Sequence, residues 1–227
     1  MPADQGKQQL RDKLQRRKVV QWTLLWIVLV TISLGWWFPW LGFSVPIVML
    51  VGIIGSLFNG RYVCGHLCPR GAFYDRLIAP LSRKKPIPTW FRSRALRWTL
   101  FAALMGLMVF RILQNPTDPL HWGRVFWMMC VVTTAVGLPL ALWIHPRSWC
   151  SFCPIGTAQS AIGGRKRRLR ISAEKCRACG LCEKACPMGL KIVEHRHAGE
   201  LPSPDCLHCS ECIGVCPAGA LRWPSAD

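Results

Sequence analysis

Eight cysteines near the C-terminal end of the chain fall into two runs with the same spacing. The first run begins at Cys176 and the second at Cys206, and each follows the pattern C-x2-C-x2-C-x3-C before a proline. Three thiolates from one tight turn can hold three irons of a cubane, and small residues between them let backbone N–H groups turn toward sulfur. The spacing therefore predicts two metal–sulfur sites.

Iron–sulfur clusters and zinc are the metal chemistries to compare. Zinc ribbons usually separate two C-x2-C pairs widely, whereas these cysteines stand in two contiguous runs of four, which favours [4Fe-4S] clusters over zinc or disulfides. With this spacing in two-cluster proteins, the fourth cysteine of each run ligates the other cluster. We predict cluster I on Cys176, Cys179, Cys182 and Cys216, and cluster II on Cys206, Cys209, Cys212 and Cys186.

These two runs resemble the bacterial-type 2[4Fe-4S] ferredoxins. The resemblance covers only the last quarter of the chain and implies a small α+β domain over residues 171–227. The other three quarters must therefore be explained separately.

Charge is distributed very unevenly along the 227 residues. The formal net charge is +18, yet residues 171–227 carry six Lys or Arg and seven acids, so the excess lies in residues 1–18, 61–97 and 146–170. These basic segments flank apolar runs, which is the positive-inside pattern of membrane proteins. No nucleic-acid-binding motif accompanies them, so we expect no nucleic-acid partner.

The apolar runs predict four transmembrane helices arranged as two hairpins. Residues 19–60 contain no charged residue, which is about twice the roughly 20 residues that a spanning helix needs. We place the spans near residues 19–37, 44–62, 96–113 and 125–144, with a short outer loop over 114–124. The positive-inside rule then puts both termini and the ferredoxin domain in the cytoplasm of a multi-pass protein of the inner membrane, in contact with its lipid.

Each predicted hairpin is followed by a similar cysteine motif. The first Cys-Pro motif is Cys64 to Pro69, the second is Cys150 to Pro154, and a basic run follows each. The membrane domain therefore looks like a duplicated unit. We predict that the motifs converge at the cytoplasmic ends of the spans to form a third cluster or another metal site, or else remain reduced thiols, on Cys64, Cys68, Cys150 and Cys153.

These features divide the chain into four segments. We expect a basic cytoplasmic tail over residues 1–18, a four-span membrane domain over 19–162, a basic linker over 163–170 and the dicluster ferredoxin domain over 171–227. No acid–base or nucleophilic constellation is visible, so we assign no catalytic residue.

Taken together, the four spans, the Cys-Pro motifs and the ferredoxin runs resemble the NapH-type membrane ferredoxins and the C-terminal half of NosR-type proteins. The second motif departs from the C-x3-C-P spacing that we expect in that family, because Cys150 and Cys153 are separated by only two residues. The resemblance implies an electron-transfer subunit, part of a quinol dehydrogenase complex, that links the quinone pool to partner redox subunits of iron–sulfur, cytochrome or reductase type. The alternative is an accessory factor that supplies electrons for maturation of another enzyme's cofactor.

Overall fold

The computed structural model describes residues 2–224, with side chains from residue 8 onward. Most of the chain is helical, and four helices are long and apolar enough to cross a membrane. They are α1 (Pro2–Leu34), α2 (Ser44–Asn59), α5 (Arg94–Leu113) and α6 (Pro119–Trp143). Each of the four overlaps one of the predicted apolar runs.

Helix α1 differs from the prediction at its start. The basic segment that we expected as a separate tail over residues 1–18 is continuous with the first apolar run from Pro2 onward, and Met1 lies outside the described residues. Residues 7–18 consist almost entirely of Lys, Arg, Gln and Leu, which have high helix propensity, so nothing in the sequence ends the helix there. As a result α1 extends well beyond its apolar part, which begins at Val19.

Helix α6 begins six residues earlier than predicted. The Asp118 side chain accepts a hydrogen bond of 2.9 Å from the Leu120 N–H, and Pro119 occupies the first turn. Both are preferred residues at a helix N-terminus, so the connection between α5 and α6 shortens to residues 114–118.

The helices approach one another closely at glycines. A 3-10 turn, Pro39–Phe43, leads into α2 and packs on α6, where a Cβ added at Gly42 would lie 2.0 Å from the Gly123 carbonyl oxygen. A Cβ on Gly123 would in turn lie 2.2 Å from the Pro39 carbonyl oxygen. Only residues without a side chain allow this contact.

Short helices carry the Cys-Pro motifs. Helix α3 (Tyr62–His66) precedes α4 (Pro69–Phe73), which continues as a π-helical turn, Tyr74–Ile78; α7 (Pro154–Gly163) follows a 3-10 turn, Trp149–Ser151. Cys68 and Cys153 are the N-cap residues of α4 and α7, each followed by proline in the first turn. This arrangement explains the Cys-Pro sequence. The first N–H groups of a helix have no partner within the helix, so proline, which lacks an N–H, costs nothing there.

The C-terminal part is small and loop-rich. It contains an antiparallel strand pair, β1 (Arg170–Ile171) and β2 (Leu221–Arg222), with Ile171 opposite Leu221, and two one-turn helices, α8 (Leu181–Lys184) and α9 (Glu211–Gly214). A 3-10 turn over Val193–His195 lies between these helices, and a further one over Thr89–Arg92 precedes α5. The hydrophobic core of this part surrounds cysteines, and its fully buried members include Leu169, Met188 and Leu201.

Candidate metal centres

Two cavities in the C-terminal part are lined by the two predicted ligand sets. One is lined by Cys176, Cys179, Cys182 and Cys216. The other is lined by Cys186, Cys206, Cys209 and Cys212. In each cavity the fourth cysteine comes from the other run, so the chain brings the eight thiols together in the crossed-over sets.

Each run bends through left-handed backbone at the same places. Ala178 and Gly180 have φ of +52° and +71°, and His208 and Ser210, thirty residues later, have +52° and +63°. Left-handed backbone is costly for residues other than glycine, so its recurrence on both sides of the second cysteine in each run indicates a required shape. The turn wraps the main chain around the cavity.

The sulfur atoms in these cavities accept backbone hydrogen bonds. Burial raises the pKa of the Cys186 thiol, and the N–H groups of Leu190, Met188 and Gly189 partly oppose that rise. Burial also raises the pKa of Cys206 to about 12. Backbone N–H donors to sulfur are characteristic of iron–sulfur sites, where they stabilise the negative charge on the cluster.

Zinc-like geometry is absent from the described part of the chain. Among the side chains of residues 8–224, no three or more His, Cys, Asp or Glu are grouped so as to hold a single metal ion. The four thiols of each cavity instead line one shared space, as a cluster requires. The donor set and its placement therefore fit a [4Fe-4S] cluster better than zinc.

The other four cysteines also come together. Cys64, Cys68, Cys150 and Cys153 line a third cavity of about 160 Å³, which we call the four-cysteine chamber. Its lining continues between the long helices through apolar side chains, among them Val28, Val48, Met49, Met105 and Met129. Burial raises the pKa of the Cys64 thiol to about 12, so an ionised thiolate there needs a cationic partner.

Two buried arginines hold the Cys-Pro motifs together reciprocally. Arg61, three residues before Cys64, donates a 2.7 Å hydrogen bond to the carbonyl of Cys150. Arg147, three residues before Cys150, donates a 3.0 Å hydrogen bond to the carbonyl of Cys64. Both side chains are 1% exposed. Each motif therefore supplies the arginine that positions the first cysteine of the other.

Each Cys-Pro motif is followed by a glycine two residues after its proline, Gly71 and Gly156, and these glycines make room for the two arginines. A Cβ on Gly71 would lie 2.6 Å from an Arg147 guanidinium nitrogen, and a Cβ on Gly156 would lie 2.5 Å from Arg61 Nη2. The shared Pro-x-Gly sequence is thus explained by a steric requirement that is the same in both halves.

Each of these arginines is paired with one carboxylate, and Asp205 is buried while the Asp75 side chain is 11% exposed. Asp75 accepts hydrogen bonds from Arg147 at 2.7 and 2.8 Å and from Arg17 at 3.2 Å. Asp205 accepts from Arg61 at 2.9 Å and pairs with Arg97. Because Asp205 precedes Cys206, this second network ties the C-terminal part to the long helices.

The chamber also contains one arginine without a carboxylate partner and two N–H donors without a hydrogen-bond acceptor among the described residues. Arg70 donates to Thr133 Oγ1 at 2.6 Å and to Cys153 Sγ at 3.3 Å, but no carboxylate pairs with it among the described residues. Within the same part of the chain, the buried Trp149 Nε1 and Arg61 Nε have no hydrogen-bond partner. Unpaired donors beside four thiols suit a bound group that carries negative charge, such as a cluster ligated by thiolates.

Other polar side chains near the motifs have structural roles. His66 stacks on Tyr62 with ring centroids 3.8 Å apart, and burial lowers its pKa to about 4. Tyr74 is fully buried against α6, and its hydroxyl lies 3.5 Å from the Thr134 carbonyl oxygen. His208 Nε2 lies 3.1 Å from the Arg167 carbonyl oxygen. Sequence reasoning overlooked Arg61 and Arg147, although an arginine three residues before each motif was a visible signal.

Two family matches cover these sites. Residues 41–88 and 120–172, which contain both Cys-Pro motifs, match the 4Fe-4S binding domain family, and residues 175–221 match the 4Fe-4S dicluster domain family. The chain thus contains ferredoxin-type 4Fe-4S domains and is a ferredoxin-type iron–sulfur protein. No solved structure matches the chain.

Several curated relatives resemble the chain over much of its length. An uncharacterized protein of Methanocaldococcus jannaschii is 25% identical over 94% of this chain and 89% of its own length. The methylamine utilization ferredoxin-type protein MauN of Paracoccus denitrificans is 29% identical over 61% of this chain, which spans 52% of MauN. The putative electron transport protein YccM of Escherichia coli is 24% identical over 80% of this chain and 57% of its own length.

Proposed function

We propose that this ferredoxin-type iron–sulfur electron-transport protein relays electrons between the quinone pool of a membrane and a partner redox protein. The observation that carries the proposal is the placement of the cysteines. Twelve of them line three cavities, and the third of these opens between apolar helices that are long enough to cross a bilayer.

Three ligand sets follow from this placement. Cys176, Cys179, Cys182 and Cys216 would hold cluster I, and Cys186, Cys206, Cys209 and Cys212 would hold cluster II. Cys64, Cys68, Cys150 and Cys153 would hold a third cluster. The match of both Cys-Pro motifs to a 4Fe-4S binding family and the unpaired donors of the chamber support the third set. A [4Fe-4S] cluster, when bound, accepts and releases one electron.

The three sites are adjacent in the fold. Cys64 and Cys150 pack in the same hydrophobic core as Cys186 and Cys206. At the boundary, a Cβ on Gly65 would lie 2.4 Å from the Leu207 carbonyl oxygen, so the two cysteine loops touch through their backbones. The four-cysteine chamber and the cluster II cavity are therefore neighbours, and Cys182 and Cys216 of the cluster I cavity pack in the same core.

The apolar part of the four-cysteine chamber suits a quinone. A quinone needs an apolar site for its ring and tail and a hydrogen-bond donor for its oxygen, and Arg70 lies where the apolar lining meets the cysteines. Arg70 would hold the quinone oxygen and stabilise negative charge there, while the surrounding helices exclude water.

We further propose the membrane arrangement that the charge pattern favours. The two hairpins would be inserted as a duplicated unit, which the reciprocal arginines support, with both termini and the ferredoxin part on the cytoplasmic face. The chain would act as a NapH-type subunit of a quinol dehydrogenase complex whose partner accepts or supplies the electrons.

Filling the chamber tests the quinone proposal. Met105 lines the chamber, whereas Leu107 on the same helix is 45% exposed and does not line it. Reduced protein should be reoxidised by a short-chain quinone, and Met105→Trp should slow this at least tenfold without loss of iron, while Leu107→Trp should behave as wild type. Equal reoxidation rates in the two variants would mean that the quinone binds outside the chamber or that the protein does not react with a quinone.

A further inference from the structure

A further large cavity lies beside the cluster II site, between the N-terminal half of α1, the end of α2 and the cluster II loop. It has a volume of about 670 Å³. Its wall includes Lys13, Arg16, Arg17 and Arg167, and among the side chains of residues 8–224 no Asp or Glu lines it. We call it the basic cleft.

The positive charge of the basic cleft is only partly balanced. Arg17 is paired with Asp75 and Glu211. Lys13, Arg16 and Arg167 form no ion pair with the side chains that the structure describes, and all three are exposed. Three unneutralised cations around one concave space attract an anion.

The position of the cleft selects the kind of anion. Asn59, the last residue of α2, and Val20, the second residue of the uncharged run in α1, both line it. The cleft therefore lies where two apolar helices leave the proposed bilayer. Leu14, Val20 and Leu67 add apolar surface to its wall, so its chemistry is basic and apolar together.

We infer that the basic cleft binds an anionic phospholipid. Lys13, Arg16 and Arg167 hold the phosphate, and the acyl chains leave along Val20 and Leu67 into the bilayer. The inference depends on membrane insertion but not on the route of the electrons. Because His208 and Cys209 also line the cleft, the bound headgroup covers one side of the cluster II loop.

Lipid binding to purified protein tests this inference. The test variant is Lys13→Gln/Arg16→Gln, which leaves the hydrogen bond from Arg167 to Asn59 in place. The control is Lys175→Gln/Arg177→Gln, two exposed basic residues that do not line the cleft. Visible cluster absorbance confirms that both variants fold.

Binding of phosphatidylglycerol and phosphatidylcholine is measured in nanodiscs and by native mass spectrometry. Each basic side chain near a membrane surface is worth roughly a fivefold change in affinity, so the test variant should bind phosphatidylglycerol on the order of 20-fold more weakly than wild type. The control should be unchanged, and phosphatidylcholine should not compete.

Three results would overturn the inference. The first is equal phosphatidylglycerol binding by the test and control variants. The second is full competition by millimolar inorganic phosphate, which would indicate a soluble phosphate ligand. The third is extraction of the protein from membranes by alkaline carbonate, which would also contradict the proposed membrane insertion. A failure of quinone-dependent reoxidation alone would leave the lipid site standing.

Discussion

Asp75 is the side chain whose replacement tests the packing of the Cys-Pro motifs most directly. It accepts two hydrogen bonds from Arg147 and one from Arg17, and these guanidinium groups are almost fully buried. In Asp75→Asn the shape is kept while the negative charge is lost. Two buried guanidinium groups then share a neutral amide, although Arg17 keeps its pairing with Glu211.

The expected cost follows from the burial of this ion-pair network. Removing one partner of a buried ion pair costs about 3–5 kcal/mol, because the charge left behind stays desolvated. For a chain of this size, about 1 kcal/mol corresponds to roughly 2–4 °C in Tm, so the loss should be about 6–20 °C. Arg147 also loses its orientation, and the carbonyl of Cys64 loses its donor.

Thermal unfolding of the detergent-purified protein measures this cost, with visible cluster absorbance as the probe. The matched control is Glu200→Gln, which removes a partly exposed carboxylate paired with Arg168. That pair should contribute only about 0–1 kcal/mol. A Tm for Asp75→Asn within 2 °C of the control would refute the buried network as a source of stability.

The pH dependence of the same variant provides a second check. Burial alone would raise the pKa of Asp75, but the Arg147 guanidinium lowers it more, and the pKa lies below its ordinary value. A carboxylate with a depressed folded-state pKa contributes stability above its unfolded pKa of about 4, and this is lost as pH falls through the folded value. The Tm difference between wild type and Asp75→Asn should therefore be constant from pH 8 to pH 5, and a steady change across that range would contradict the assignment.

Three further changes have defined outcomes. Arg70→Gln should shift the midpoint potential of the four-cysteine site to a more negative value in potentiometric EPR, because a positive charge that favours the reduced form is removed, and Arg70→Lys should restore most of the shift. Gly123→Ala should cost about 1–3 kcal/mol in thermal unfolding by overpacking, whereas Gly106→Ala, with no atom within 4 Å of the new Cβ, should not destabilise. Asp205→Asn should increase protease cleavage within residues 163–170, because the C-terminal part loses its ion pairs with α5 and with Arg61.

Each of these outcomes can be contradicted separately. An unchanged potential in the Arg70 variants would mean that this guanidinium does not act on the site. Equal unfolding temperatures of the two glycine variants would contradict the close contact between α6 and the 3-10 turn before α2. Wild-type protease resistance of the Asp205 variant would show that other contacts hold the C-terminal part.

Local patterns in the sequence were enough to predict the long helices. An uncharged run must be buried in protein or lipid, so the four apolar helices follow from composition. Their ends depend on capping side chains, which is why α6 starts at Pro119 after Asp118 rather than near Val125. The extension of α1 to Pro2 was not predicted, because charge marked a boundary where helix propensity did not.

Contacts between distant segments could not be predicted in the same way. The crossed-over ligand sets came from the regular spacing of the two runs, which is a local property. The exchange of Arg61 and Arg147 between the two motifs depends on how two hairpins meet in space, and nothing in either motif alone specifies it. Asp75 and Asp205 likewise acquire their roles only when separate segments bring the arginines to them.

Iron and acid-labile sulfide per chain test the central claim most directly. Three [4Fe-4S] clusters require about twelve irons and about twelve sulfides in anaerobically purified protein. Cys150→Ser should lower both to about eight and leave the EPR signals of two interacting reduced clusters. About eight irons in wild type, unchanged in Cys150→Ser, would contradict the third cluster. About four irons or fewer in wild type would contradict the dicluster assignment itself.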